Sequence, residues 1–489
     1  MLLSRLFFRG ISSSVKVCES QFFKRLIPVD EYCERQAKLV NLIVNHVKKN
    51  NFSYSNVGSL IVVSGAKRMY TADTRIPTIH FKQNSDFLYL TGLNTKEAAH
   101  TVLIILGPDA KSKLFQSFLF VPFSSQLQLI WEGEGLKDGH YQSHLSQISH
   151  VVEDISKLPQ FLKSHSDRPI FMCRAGLELI PPTISGHKAG MDQDTPIKPL
   201  DGYKTFDLSP FIDRLRLFKS PNEVNAMRRT CTIGAEAVNA TRIWSQTQLE
   251  SNKKNYGIQG VSENQIAAEF EFAARSAGAV KPSYPPVVAG GPRTTIIHYG
   301  ANDKLVYPNE WILMDAGCED IEGYISDITR CWPILASESN SKNRISQALY
   351  EALCEVHQQI VVYLENRALE TSLNDLYHLM CHLLGSVLSE FNLCPSGDQA
   401  ALLADHFCPH HVSHYLGLDV HDTPTVNRDI NLEPGMCFTI EPGLYFRKGD
   451  SRIKEEFEGI GLRVEDNYII NANGKPENLT AGVSQIFSS

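Results

Sequence analysis

The sequence predicts an α/β N-terminal domain followed by an α+β second domain, and three observations carry that reading. The chain has 489 residues, 43% of them hydrophobic, which is enough to bury the cores of two to three domains. From about Pro28 to Asp201, short apolar runs bounded by Gly, Pro or Asp mix with helical patterns. Beyond Tyr284 the pattern turns to strands interrupted by two long helical stretches. Residues 183–205 are rich in Pro, Gly and Asp without periodicity, and read as the linker. The expected domains are 27–205 and 215–486.

The first element is "EYCERQAKLVNLIVNHVKKN", where Leu39, Leu42, Ile43 and Val47 recur at helical spacing. "GSLIVVSG", "FLYLTG", "TVLIILG" and "SFLFVPF" read as short strands. After the linker, Ser220 can cap a helix with Pro221 at its first position and Glu223 completing a capping box. Ser262 and Gln265 form a second box ahead of "ENQIAAEFEFAARSAG", which Gly278 stops. Two further helices are expected at about 344–369 and 372–391.

Composition excludes several function classes. A net charge of −7 offers no basic field for nucleic acid, and the longest apolar runs are too short to span a bilayer. Eleven cysteines with no C-x-x-C pair argue against a zinc ribbon or a disulfide framework, and for a reducing compartment. Cys318, Cys408 and Cys437 read as buried structural thiols. The first 26 residues carry Arg5, Arg9 and Lys16, four serines up to Ser14 and no acid before Glu19. That is the composition of a mitochondrial transit peptide, with the matrix as the expected destination.

Chemistry concentrates in the second half. Asp315 ends a strand in which Leu313 and Asp315 face one way and Ile312 and Met314 the other. A turn returns the chain so that Asp327 and Thr329 share a face, and the two aspartates can meet across the ladder at about 5 Å. Between His410 and Asp422 lie four histidines, His410, His411, His414 and His421, more than packing explains. Glu441 sits between two Pro-Gly turns, and Arg463 and Glu465 share one face of their strand. Four carboxylates held together repel one another and stay partly protonated unless cations sit between them. Two divalent ions can use Asp315, Asp327, His414, Glu441 and Glu465 and still leave room for water, which becomes a hydroxide near neutral pH.

The ordered segments "YPPVVAGG", "IIHYG", "LMDAGCE", "YISDITR", "HYLGLDVHD", "TIEPGLY" and "LRVEDN" resemble the aminopeptidase P group of the creatinase/methionine aminopeptidase superfamily. "CPHHVSHYLGLDVHDTP" is similar to its mitochondrial branch. The resemblance implies a creatinase-like N-terminal domain and a pita-bread catalytic domain. It implies that Asp315 binds one metal, that Asp327 and Glu465 bridge two, and that His414 and Glu441 bind the second. His298 and His421 would line the substrate cleft and steady the carbonyl and its oxyanion, with Glu441 as proton shuttle. His410 and Arg463 would support the cleft, and Asp86 would lie near the substrate's free amine. Carboxylate-rich ligands without thiolate suit manganese. The implied partners are peptide or protein N-termini, and the family's tendency to dimers or tetramers leaves a homodimer open.

The expected reaction is release of the N-terminal residue from peptides with proline second, by attack of a hydroxide bridging the two metals. A processing exopeptidase trimming bulky residues from imported mitochondrial proteins is the rival enzyme, and prolidase would cut only dipeptides. A metal-free binding protein of the same fold is the rival class, although such members lose ligands and all five are present here. Two departures from the family pattern stand out. The interval from Asp315 to Asp327 is one residue longer than expected, to be absorbed by a longer turn or a bulge. "VPFSSQLQLIWEGEG" lacks the usual charges after "VP".

Overall fold

The computed structural model describes residues 24–50, 58–70, 80–109, 112–122, 130–131, 133, 135–136, 142–173, 203–335, 340–394 and 398–485. The expected transit peptide up to residue 23, the linker up to residue 202 and most of "VPFSSQLQLIWEGEG" lie outside them.

The first half forms a six-stranded sheet with helices on it. In chain order it comprises α1 (Val29–Lys49), β1 (Leu60–Ser64), α2 (Ser85–Thr91), β2 (Val102–Leu106) and β3 (Gln116–Val121). Then follow α3 (Gln142–Ile148), β4 (Val151–Asp154), α4 (Leu158–Ser164), β5 (Ile170–Met172) and β6 (Thr205–Asp207). The strand order is β4-β3-β2-β1-β5-β6, antiparallel in the centre and parallel toward both edges. Strand alternation decides which helix each residue meets. Ile61, Val63, Leu103 and Ile105 join Leu39 and Ile43 of α1, whereas Leu60, Val62, Val102 and Ile104 join Leu158 and Leu162 of α4.

The strand expected at "FLYLTG" is corrected: this run is helix α2. The Asn84 side chain accepts the Phe87 amide at its start, and Gly92, at φ 69°, closes it in the left-handed conformation. These end signals outweigh the β-prone composition of the run between them.

The second half begins with α5 (Ser209–Leu217) and the long α6 (Pro221–Tyr256), whose Ser220–Glu223 capping box forms as the sequence predicts. Next come β7 (Val261–Ser262), α7 (Glu263–Ser276), β8 (Lys281–Pro282), β9 (Val287–Gly290) and β10 (Leu305–Val306). The hairpin region holds β11 (Trp311–Ala316), β12 (Cys318–Glu319) and β13 (Ile328–Pro333). Helices α8 (Ser341–Arg367), α9 (Leu373–Glu390) and the unanticipated α10 (Asp398–Phe407) precede the last strands. Those are β14 (Cys437–Ile440), β15 (Gly443–Phe446), β16 (Ile460–Arg463), β17 (Asp466–Ile470) and β18 (Pro476–Asn478).

Short antiparallel sheets lie between two helical layers. Leu313 packs with α8 and α9, while Ile312 and Met314 pack with α6 and α7. Fully burying each such side chain contributes about 1.5–3 kcal/mol. The alternation that sends Leu313 toward α8 and α9 puts Asp315 on the same face of β11. The two halves also share a core, since Leu39, Phe87 and Leu103 cluster with Tyr324, Leu416, Cys437 and Ile469.

Candidate metal centre

Five short segments end at one place. Asp315 lies near the end of β11, opposite Thr329 of β13, and Asp327 immediately precedes β13. Glu465 lies between β16 and β17, and its amide donates to the Thr329 carbonyl at 3.1 Å, joining two sheets at the site. Glu441 occupies the turn between β14 and β15. His414 is held beside β14, where the Thr439 amide donates to its carbonyl at 3.0 Å.

The extra residue between Asp315 and Asp327 is taken up by the turn after β12. The Asp320 carboxylate accepts the Glu322 and Tyr324 amides at 2.9 and 3.2 Å, and Gly323 adopts φ 88°. Glu319 and Ile325 then bridge, so Asp327 keeps its face. Gly317 makes the tight return possible, because a Cβ there would lie 1.8 Å from the Ser326 carbonyl oxygen.

The side chains form a continuous polar cluster. Ligand atoms of Asp327, His414 and Glu465 all lie within 4.8 Å of one another, and all three residues are buried. His414 Nε2 stands 3.4 Å from Asp327 Oδ2 and 3.5 Å from Glu441 Oε1. The Tyr284 hydroxyl donates to Asp315 Oδ1 at 2.5 Å and also contacts Asp327 Oδ1, tying the two aspartates together. Arg463 Nη2 donates to Asp315 Oδ2 at 2.5 Å, its Nη1 to the Tyr445 hydroxyl at 2.8 Å and its Nε to Thr329 Oγ1 at 2.9 Å. Arg463 Nε and Glu465 Oε2 are 4.0 Å apart, so the principal ion pair of Arg463 is with Asp315.

Electrostatics show what this set lacks. Burial pushes Asp315 up to about 6, with Asp327 adding to the rise against the pull of Arg463. Burial likewise raises Glu441 to about 7, and carries Glu465 well above the carboxylate range together with Asp327, Glu441 and Asp315. Asp327 also meets the penalty of burial, but the hydrogen bond and charge of His414 outweigh it and lower its pKa. Burial disfavours the His414 imidazolium, yet Asp327 and Glu441 raise its pKa. Four crowded carboxylates are answered by one guanidinium, one imidazole and one phenol, and three of them, Asp315, Glu441 and Glu465, hold protons where cations fit. This donor set suits divalent metal.

The other sequence candidates divide. The His421 ring makes an edge contact with His414 at 4.5 Å between centroids, and its electrostatic neighbours include His298. Both residues are exposed, so they stand at the open side of the cluster. His410 bonds the Tyr445 hydroxyl at 3.0 Å and sits 3.7 Å from Glu441; burial and Arg463 lower its pKa to about 3, leaving it neutral. Asp86 does not join the cluster. Its Oδ1 takes a 2.7 Å bond from Arg216 and its Oδ2 a 3.0 Å bond from Cys173.

Sequence reasoning missed Tyr284, Tyr445 and Asn467. Asn467 fixes the Asp327 backbone, accepting its amide at 3.0 Å and donating to its carbonyl at 2.5 Å. Tyr284 and Tyr445 stand inside the segments "YPPVVAGG" and "TIEPGLY", so the signal was their place within the family motifs.

Fold and cluster together define a two-domain metal-dependent peptidase. The model of metallopeptidase family M24 matches residues 225–472, and that of the aminopeptidase P N-terminal domain matches residues 32–170. The chain belongs to family M24, in its aminopeptidase P group, and is a metallo-aminopeptidase acting on peptides. It is 32% identical to Homo sapiens Xaa-Pro aminopeptidase 3, over 90% of this chain and 81% of that protein. It is 28% identical to the Arabidopsis thaliana mitochondrial intermediate cleaving peptidase 55, over 92% and 79% respectively. The solved structure of Escherichia coli aminopeptidase P with the inhibitor Pro-Leu superposes with a TM-score of 0.73 at 27% identity, covering 94% of this chain and 96% of the other. No helix among the described residues is long and apolar enough to cross a membrane.

Proposed function

We propose that the protein releases the N-terminal residue from peptides whose second residue is proline, using two divalent ions, with manganese the preferred metal. The carrying observation is the buried convergence of Asp327, His414 and Glu465, extended by Asp315 and Glu441. Asp315 would hold one ion and His414 and Glu441 the other, with Asp327 and Glu465 shared. When bound, such a pair supplies Lewis acidity and activates water at neutral pH.

The remaining chemistry belongs to the side chains. Glu441 takes a proton from the attacking water and delivers it to the leaving nitrogen. His421 and His298 face solvent beside the cluster and donate to the carbonyl as it gains charge, a contribution worth about 3–4 kcal/mol per donor. Arg463 and Tyr445 hold Asp315 and His410 in place. An Xaa-Pro bond has no N–H, so selection rests on the shape of the ring. The Pro-Leu inhibitor of the bacterial relative supports this reading, being a dipeptide with proline at its amino end.

The basic, serine-rich N-terminus and the mitochondrial name of the plant relative support import into mitochondria. The relatedness to that same protein gives the rival reading its weight. A panel of peptides of about ten residues, with Xaa-Pro dipeptides beside them, cut by the manganese-loaded enzyme, separates the two. Xaa-Pro peptides are expected to be preferred at least about tenfold over Tyr- or Leu-started peptides without proline. Equal cutting replaces proline selection with trimming of bulky residues, and cutting of dipeptides alone makes the enzyme a prolidase. Light scattering of the same preparation tests for a homodimer.

A further inference from the structure

The loop carrying His421 is gripped from outside the metal cluster by α5, with further contacts from Ser85, whose hydroxyl donates to Asp419 Oδ1 at 2.8 Å, and from two lysines. Arg216 of α5 sends Nη2 to Asp419 Oδ2 at 2.8 Å and to Asp422 Oδ1, so it holds residues on both sides of His421. Three residues earlier on the same helix, Asp213 Oδ2 accepts the Thr425 amide at 3.0 Å and its hydroxyl at 2.7 Å. Spacing of i and i+3 puts Asp213 and Arg216 on one helix face. The loop therefore has clamps at 419, 422 and 425.

Between those clamps Thr423 sits at φ 51°. A β-branched residue in the left-handed region is strained, and persists only where its surroundings over-determine it. The grip is also charge-balanced. Lys219 reaches Asp422 Oδ2 at 3.3 Å and Lys82 reaches Asp419 Oδ1 at 3.2 Å, so three cations face Asp86, Asp419 and Asp422. Arg216 and Asp422 are almost wholly buried, which makes this pairing costly to break by removing one partner. Through its other nitrogen, Nη1, Arg216 holds Asp86 of α2 in the N-terminal domain. One guanidinium thus joins the N-terminal domain to the histidine at the cleft.

We infer that Arg216, with Asp213, is a positioning residue for the reaction: α5 imposes the strained loop conformation that presents His421 beside His414, and the docking of the N-terminal domain is transmitted to the cleft through Asp86. The inference rests on the proposed role of His421.

Two measurements on the manganese-loaded full chain test it. The first is amide hydrogen exchange of the 414–425 segment in wild type and Arg216→Gln, which is readable whatever peptide the enzyme prefers. Exchange at 419–425 is expected to quicken at least about tenfold while the amides of β11 and β14 keep their protection. Unchanged exchange in the loop overturns the clamp. The second is a double-mutant cycle on an Xaa-Pro peptide. Arg216→Gln and His421→Ala should each lower kcat by about 100-fold with little change in KM and normal metal content. Together they should lose no more than either alone, because both remove the same oriented group. Losses that multiply, or a loss that follows metal content, overturn the inference and leave the function reading standing; quickened exchange with an inactive wild type instead overturns the function reading alone. Should Arg216→Gln fail to fold, Asp213→Asn and Thr425→Val carry the same exchange test and cycle.

Discussion

At the scale of single residues, the cluster is built to exchange protons for metal. Asp315 and Glu441, raised by burial to about 6 and 7, and His414, raised by Asp327 and Glu441, all hold protons that a cation must displace. Manganese affinity is therefore expected to rise with pH between 5.5 and 8, with proton release visible calorimetrically in buffers of different ionisation enthalpy. An affinity flat across that range would contradict the assignment. The sign for stability follows from the same groups. A carboxylate whose folded pKa is raised contributes stability below its unfolded value, and loses that contribution as pH climbs through 6 to 7. Added metal should thus raise the unfolding midpoint more at pH 7.5 than at pH 5.5. Asp327→Asn should reduce both metal binding and turnover by more than about 100-fold, beyond the ~10–100-fold usual for partners outside the ligand set. Metal analysis alongside peptide cleavage checks it.

At the scale of elements, the hairpin between β11 and β13 decides whether the aspartates converge. Gly317 tolerates no side chain against the Ser326 carbonyl, and its neighbours in the chain lead directly to Asp315. Gly317→Ala is expected to spread the hairpin, destabilise the fold by about 1–3 kcal/mol and weaken metal binding in parallel. Denaturant titration of the apo form, set beside metal content, measures both. Much of this element-level picture was legible beforehand. The alternation of Leu313 and Asp315 against Ile312 and Met314, both capping boxes and the long helices α8 and α9 follow from spacing and end signals. "FLYLTG" misled because its five apolar or β-prone residues look alike in a strand and a buried helix, and only Asn84 and Gly92 distinguish them. Tyr284 and Arg216 stayed hidden for a different reason. Their meaning lies in what they touch at sequence separations of 31 and 203, and no local pattern encodes such contacts.

At the scale of the molecule, two expected domains share one interior. Glu31 of α1 accepts from Ser220 and Asn222 at 2.6 and 2.8 Å, Arg35 pairs with Glu223 at 3.3 Å, and Tyr324 donates to Glu223 at 2.5 Å. The apolar cluster of α1, β1 and β2 is completed by Tyr324, Leu416, Cys437, Ile469 and Leu479. The halves are expected to unfold together, with far-ultraviolet circular dichroism and tryptophan fluorescence giving coincident transitions and calorimetric and van't Hoff enthalpies agreeing. Two separated transitions would show that the shared cluster contributes little.

That common interior constrains the order in which the chain can reach its structure. A ribosome makes residue 31 long before residue 479, and at ~5–20 residues per second the interval is on the order of 20–90 s. Throughout it, the apolar faces of α1 and the central strands await covering side chains that do not yet exist. The same wait applies to a chain threaded amino end first through a translocation pore. Chaperone occupancy of the nascent first half is the expected outcome, ending once the chain has been made through Leu479, and stalled nascent chains of increasing length would measure it.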